Sequence, residues 1–139
     1  MSIFYFCKFT IFASMKIESH EIFNDLFKKY NVKVFIKRLD DIPSSVSGNK
    51  YYKLKYNIVQ AKKKSCKQII TFGGAFSNHI LATSIISQEN NLKSIAFIRG
   101  EETLPLNPTL KLATSNGMKI LYLSRTEYRN KHNAEFQKK

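Results

Sequence analysis

Lys50 lies in a short polar stretch whose residue types favour amine chemistry. It follows Gly48 and Asn49, and a helical pattern begins at once. Gly48 permits a left-handed backbone that a side chain would resist, and the side-chain oxygen of Asn49 can cap a helix start. Because the helix N-terminus disfavours an ammonium, we expect a partly desolvated Lys50 to lose its proton more readily than a free lysine. A neutral lysine amine can form a Schiff base with a carbonyl cofactor, although most lysines at helix starts are simply solvated.

A second stretch, residues 71–79, combines two adjacent glycines with three polar side chains. It reads Thr-Phe-Gly-Gly-Ala-Phe-Ser-Asn-His and separates an apolar run from a helical pattern. The glycines let the backbone approach a ligand, and the free amides at the following helix start favour an anion. Ser77, Asn78 and His79 add donors at the same place, so the carboxylate of a small substrate would fit. Taken alone, the pattern is more typical of an ordinary strand-to-helix turn with Asn78 as its cap.

Hydrophobic periodicity predicts the elements that must position these two stretches. The predicted helices cover 17–30 (capped by Ser19), 50–64, 79–89, 107–117 and 126–139 (capped by Thr126), and the predicted strands cover 32–39, 68–72, 94–98 and 119–123. From residue 50 onward, helices and short apolar strands alternate, which predicts an α/β fold with an open parallel sheet and flanking helices. Ligands of such sheets lie beyond the carboxyl ends of the strands, where the loop over 73–78 belongs.

Two local features refine this prediction. Asn107-Pro108 is typical of a cap followed by the first helical position, and Gly117 is typical of a helix end. The helix over 79–89 is expected to bury one side. That side carries Ile80, Leu81, Ser84, Ile85 and Gln88.

Length and composition favour a single domain. The chain has 139 residues, of which 43% are hydrophobic, so a packed core is possible. Residues 1–14 are apolar but interrupted by Lys8, and they lack the pattern of a signal peptide. We expect them to be an unstructured extension, with Met15 as an alternative start and a domain over 15–139. Cys7 and Cys66 have no ligand-like spacing, which favours a reducing, cytoplasmic location without a disulfide or a metal site.

The charge balance could mark a binder of nucleic acid or of membrane surfaces. The formal net charge is +13, from 23 basic and 10 acidic residues. However, the lysines are spread along the chain, and their one run, residues 62–64, lies near a predicted helix end, where cations suit the dipole. No basic strip has interleaved aromatic residues, and no apolar run is long enough to cross a bilayer. We therefore expect neither nucleic acid nor a membrane as a partner.

Together, the two stretches resemble a known family much more specifically than either does alone. The matching segments are Ser47-Gly48-Asn49-Lys50, Lys53-Leu54-Lys55-Tyr56 and residues 71–79, with further likeness over 98–102 and 107–110. They resemble the 1-aminocyclopropane-1-carboxylate deaminase/D-cysteine desulfhydrase family, which belongs to the tryptophan-synthase-β-like, fold-type-II pyridoxal-phosphate enzymes. The resemblance runs from about Lys33 to Arg129. It implies the N-terminal portion of such an enzyme, mostly its small domain.

The resemblance also implies roles for individual residues. Lys50 is then the lysine that carries pyridoxal 5′-phosphate, Lys53 is a second lysine beside the cofactor, and Asn78 binds its phenolic oxygen. Ser77 matches a serine implicated in substrate binding and proton transfer. Ser77, Asn78 and His79 would hold the substrate. His79 resembles the desulfhydrase branch, because the deaminase branch has glutamine at this position.

The implied reaction is deamination or β-elimination of a small amino acid, such as D-cysteine or 1-aminocyclopropane-1-carboxylate. Its products are a keto acid and ammonia, with sulfide if the substrate is D-cysteine. Ser47 and Tyr52 depart from the family pattern, where glycine and arginine are common. Family members continue well beyond residue 139, and the further part supplies the loop that cradles the cofactor phosphate. We therefore expect a truncated form, and a homodimer for the full-length family. The alternatives are an inactive fragment and an anion-binding α/β interaction module.

Overall fold

The computed structural model describes residues 17–41, 46 and 48–136. The extension predicted over residues 1–14 lies outside this range. The chain divides into two compact units, Met1–Asn49 and Lys50–Lys139.

The first unit contains two short antiparallel strands and a short helix. Strand β1 (Ser19–Ile22) pairs with β2 (Val34–Lys37), helix α1 (Asp25–Lys29) lies between them, and a 3-10 turn covers Leu39–Asp41. The strand predicted over 32–39 is confirmed in its central part.

The single helix predicted over 17–30 is wrong. Residues 19–22 pair with β2 through the backbone, so Ser19 begins a strand and does not cap a helix. The side chain of Asn24 caps α1 by accepting a hydrogen bond from the amide of Leu26. The apolar residues that produced the helical pattern are mostly exposed, with Phe23 at 86% and Leu26 at 57%. Their spacing therefore does not mark a buried helix face within this unit.

The second unit contains the predicted parallel sheet. Its elements, in chain order, are α2 (Asn49–Lys63, whose first residue closes the first unit), β3 (Gln68–Gly73), α3 (Asn78–Glu89), β4 (Lys93–Arg99), α4 (Pro108–Ser115), β5 (Met118–Leu123) and α5 (Arg125–Arg129). The strands lie in the order β3-β4-β5 and all are parallel, with Gly73 opposite Ile98 and Ile98 opposite Tyr122. The fold class predicted from the sequence, an open parallel sheet with flanking helices, is confirmed.

Capping residues fix the ends of the last two helices. Asn107 caps α4 and Pro108 opens it, and Gly117 follows the helix with a φ of +80°, as predicted. The predicted helix from Thr126 to residue 139 is wrong in both bounds. Ser124 caps α5 through a reciprocal pair of hydrogen bonds with Glu127, and the helix ends at Arg129.

The core of the second unit lies between the sheet and helices α3 and α4. Its buried members are Ile80, Ala96, Ile98, Leu110, Ala113 and Met118. Helix α3 packs against β3, β4 and α4, so it is buried on more than one side. This explains why the predicted inward face is only partly right: Ala82 and Ile86 are buried, whereas Gln88 is exposed. Among the described residues, no helix is long and apolar enough to span a membrane.

Candidate functional site

The loop over 74–77 joins the end of β3 to the start of α3. The amide of Ser77 donates to the carbonyl of Gly74 at 3.1 Å, which closes a tight turn. Ser77 occupies the N-cap position with φ −79° and ψ 115°, but its side chain makes no capping hydrogen bond. Asn78 is already the first helical residue, so it is not the cap. The Ser77 side chain therefore does not satisfy the first-turn amides of α3, which face the carboxyl edge of the sheet.

The two glycines before this turn have different roles. A Cβ atom on Gly73 would lie 2.7 Å from Cγ1 of Ile80 and 3.2 Å from Oγ of Ser77. Gly73 therefore lets the first turn of α3 pack directly onto β3. A Cβ atom on Gly74 would meet no atom within 4 Å. Gly74 leaves open space beside the loop, as a backbone that receives a ligand requires.

His79 is held by Thr71 and lies in a positively charged environment. Its Nε2 is 3.0 Å from Oγ1 of Thr71, and its backbone carbonyl accepts a hydrogen bond from Oγ1 of Thr83 at 2.8 Å. Burial lowers the pKa of His79 below its ordinary value of 6.5, and the positive charges of Lys50 and Lys53 lower it further. Both effects favour the neutral imidazole.

The lowered pKa of His79 indicates that the two predicted stretches lie near each other. Lys50 is the second residue of α2 and half-buried, and Lys53 lies one turn further along with its side chain exposed. Gly48 has a φ of +71°, as its place before the helix predicted. Both lysines are close enough to His79 to lower its pKa. Lys50, Lys53 and His79 thus share one region of the second unit, and Ser77 and Asn78 directly precede His79.

The chemistry of this donor set fits an anionic aldehyde such as pyridoxal phosphate. Lys50 offers an amine that can react with a carbonyl group, and Lys53 adds a second positive charge. Ser77 and the first-turn amides of α3 offer donors to an oxyanion, while the amide side chain of Asn78, which is exposed, can reach a ligand outside the helix. Among the described residues, no group of three or more metal-ligating side chains is arranged to hold a metal ion.

Asn107 stabilises the loop in a way that sequence reasoning missed. Its Nδ2 donates to the carbonyl of Ala75 at 3.1 Å, while its Oδ1 accepts from the amide of Leu110 at 3.0 Å. One side chain therefore caps α4 and also anchors the loop over 74–77. The cap was predictable from Asn107-Pro108. The contact with Ala75 was not, because it joins residues 32 positions apart.

Comparison with known proteins finds relatives whose names agree with one another. No family model matches the chain. A Thermotoga maritima protein provisionally named 1-aminocyclopropane-1-carboxylate deaminase is 37% identical over 116 residues, which are 83% of this chain and 36% of that protein. D-cysteine desulfhydrase of Salmonella paratyphi B is 28% identical over 88 residues, which are 63% of this chain and 26% of that enzyme.

A solved structure agrees with these relatives. The crystal structure of a homologue of 1-aminocyclopropane-1-carboxylate deaminase matches with a TM-score of 0.65 and 25% identity, covering 79% of this chain and 33% of that one. The chain thus spans 26–36% of the length of these relatives. The predicted resemblance is confirmed: in sequence and in fold, the chain is related to part of the 1-aminocyclopropane-1-carboxylate deaminase/D-cysteine desulfhydrase family of fold-type-II enzymes.

Proposed function

We propose that this chain is the cofactor- and substrate-binding part of a pyridoxal-phosphate-dependent deaminase or desulfhydrase. Its substrate would be a small amino acid such as D-cysteine or 1-aminocyclopropane-1-carboxylate. The observation that carries the proposal is the electrostatic effect of Lys50 and Lys53, both on α2, in lowering the pKa of His79 at the start of α3. The proposal includes a cytoplasmic location and a homodimer for the full-length form.

Lys50 would hold the cofactor through its amine. When bound, the cofactor supplies an electron sink for the bonds around the substrate α-carbon. Lys53 would add positive charge beside it, and the side-chain amide of Asn78 would donate to its phenolic oxygen. These roles need an amine, a cation and a neutral donor within one small region, and the neighbourhood of His79 contains all three residue types.

Ser77 and His79 would act on the substrate. The substrate carboxylate would accept hydrogen bonds from the first-turn amides of α3 and from the Ser77 hydroxyl, with Asn78 as a further donor. Because this hydroxyl does not cap the helix, Oγ of Ser77 is available to move a proton. A neutral His79 held by Thr71 adds a hydrogen-bonding ring without a further positive charge. His79 in place of glutamine favours the desulfhydrase reaction.

Product formation tests this function. The full chain is incubated with pyridoxal 5′-phosphate and either D-cysteine or 1-aminocyclopropane-1-carboxylate. The reaction is run with the chain alone and with the part of the Thermotoga maritima relative that the chain does not span. We expect a keto acid and ammonia, with sulfide from D-cysteine, and a rate about a hundredfold lower for Ser77→Ala. Lys50→Ala should abolish the reaction, whereas Lys55→Ala on the same helix should retain it. Equal rates for Lys50→Ala and the unchanged chain would contradict the proposal.

A second candidate function is a non-catalytic anion-binding module. It is favoured by the first-turn amides of α3, which the Ser77 side chain does not satisfy. Such a module would bind a small anion and form no product from either substrate. Binding without turnover in the presence of the complementary chain would support it over the enzyme.

A further inference from the structure

A strongly basic cavity lies beside the loop over 74–77. It has a volume of about 670 Å³ and is lined by residues at or just beyond the ends of all three parallel strands. The lining residues are Gly74, Ala75, Phe76, Ser77, Arg99, Gly100, Arg125, Tyr128 and Arg129. We call this cavity the arginine pocket. A volume of this size accommodates a small organic ligand.

The arginine pocket is lined by three positive side chains. Arg99, Arg125 and Arg129 all contribute to its wall, and no acidic residue does. Between residues that the structure describes, no ion pair involves these three arginines. All three are exposed, so an anion in solution can reach them. Three arginines from two elements therefore line one cavity, and none has a carboxylate partner within the described part of the chain.

Tyr128 restrains the cations around the pocket. The guanidinium carbon of Arg99 lies 5.8 Å from the Tyr128 ring centroid, and Nζ of Lys131 lies 4.3 Å from it. The same ring packs edge-on against Phe72 of β3 at 6.2 Å. Cation–π contacts of this kind hold positive charge at a defined place. The pocket is thus built from packed residues and is more than a chance group of surface arginines.

The positive charge of the arginine pocket favours a phosphate group over a carboxylate. A carboxylate carries one negative charge and would leave most of the positive charge unneutralised. A phosphate monoester carries a charge of about −1.5 to −2 at pH 7, and its oxygens match the fork of a guanidinium group. The partial positive charge of the α3 N-terminus, beside Ser77, acts in the same direction.

We propose that the arginine pocket binds the phosphate group of a small molecule. The pocket shares Ser77 and the loop over 74–77 with the proposed substrate site, but neither Lys50 nor Lys53 lines it and it does not depend on amine chemistry. The phosphate could belong to a separate phosphorylated molecule or to a cofactor held at Lys50. The two sources share the same recognition chemistry.

Titration with inorganic phosphate at constant ionic strength tests the site. Binding to the full chain is followed by calorimetry and by backbone amide shifts in NMR. We expect saturable one-to-one binding, with shifts concentrated in residues 74–77, 99–100 and 125–129. Arg99→Gln and Arg125→Gln should each weaken binding about tenfold or more, because each removes a charge-assisted hydrogen bond.

Two controls carry the same change in charge. Lys93→Gln lies at the opposite, amino end of β4, and Arg38→Gln lies in the first unit. Both should bind phosphate as the unchanged chain does. No saturable binding, equal weakening in the controls, or shifts outside the pocket would overturn the proposal. The amide shifts that phosphate causes in the unchanged chain test the proposal even if an arginine variant fails to fold.

Competition separates the two sources of phosphate. If the pocket takes the cofactor phosphate, inorganic phosphate should reduce labelling of Lys50 by pyridoxal 5′-phosphate but not by pyridoxal. If it takes a separate molecule, both labelling reactions should be unaffected while phosphate still binds. Either result supports the site and identifies its source.

Discussion

The imidazole of His79 and the hydroxyl of Thr71 meet across the β3–α3 connection, with Nε2 of His79 3.0 Å from Oγ1 of Thr71. Thr71 is buried, and this contact draws the His79 ring toward the sheet. The ring therefore lies in a partly desolvated place close to two ammonium groups. Burial and the two lysines therefore both favour the neutral form of the ring.

The first prediction concerns the pH dependence of stability. The pKa of His79 is lowered in the folded state, by burial first and then by Lys50 and Lys53, from an unfolded value of about 6.5. Below pH 6.5 the unfolded chain binds the proton first, so the stability present above this pH is lost as pH falls toward the folded pKa. His79→Gln should remove this part of the pH dependence in urea unfolding. His132→Gln, at an exposed site, should keep it, and equal pH slopes for His79→Gln and the unchanged chain would refute this assignment.

The second prediction separates the two glycines of the loop. Gly73→Ala would place a methyl group 2.7 Å from Cγ1 of Ile80, so the buried Ile80 side chain or the first turn of α3 must shift. We expect a loss of about 1–3 kcal/mol in the free energy of unfolding. Gly74→Ala meets open space and should change stability little. Denaturant unfolding of both variants measures the difference, and equal stability would show that α3 can adjust freely.

Much of the fold was predictable because its signals are local. The apolar runs of β3, β4 and β5 and the Asn107-Pro108 and Gly117 boundaries each depend on a few neighbouring residues. The first unit was not predictable in this way. Pairing between Ser19 and Lys37 joins residues far apart in the chain and overrides a helical pattern that had no core to bury it. The reciprocal hydrogen bonds of Ser124 and Glu127 are also local, but Thr126 is a second good cap residue and suggested a different start for α5.

The candidate site was likewise only partly predictable from the sequence. Lys50 and residues 77–79 were predicted because their residue types carry the family pattern, and the charge of Lys50 lowers the pKa of His79. The arginine pocket was not found, because Arg99 and Arg125 belong to different elements and only the parallel register brings them to one edge. The roles assigned to Lys50, Lys53, Ser77, Asn78 and His79 stay predictions.

The third prediction distinguishes a functional serine from a structural cap. Ser77 makes no capping hydrogen bond, whereas Asn107 both caps α4 and binds the carbonyl of Ala75. Asn107→Ala should therefore lower the free energy of unfolding by about 1 kcal/mol or more, and Ser77→Ala should change it much less. Thermal unfolding compares the two. A Ser77→Ala variant as unstable as Asn107→Ala would mean that Ser77 has a structural role.

The central claim is that Lys50 is the lysine that carries the cofactor. The most direct measurement is treatment with pyridoxal 5′-phosphate, reduction with borohydride and peptide mass mapping of the covalent adduct. The complementary part of the Thermotoga maritima relative is present in one arm and absent in the other. Lys50→Ala, Lys53→Ala and Lys55→Ala provide the matched variants. We predict weak labelling of the chain alone and strong labelling with the complementary part, located at Lys50 and lost only in Lys50→Ala. An adduct located at Lys53 or Lys55, or undiminished labelling of Lys50→Ala, would contradict the account.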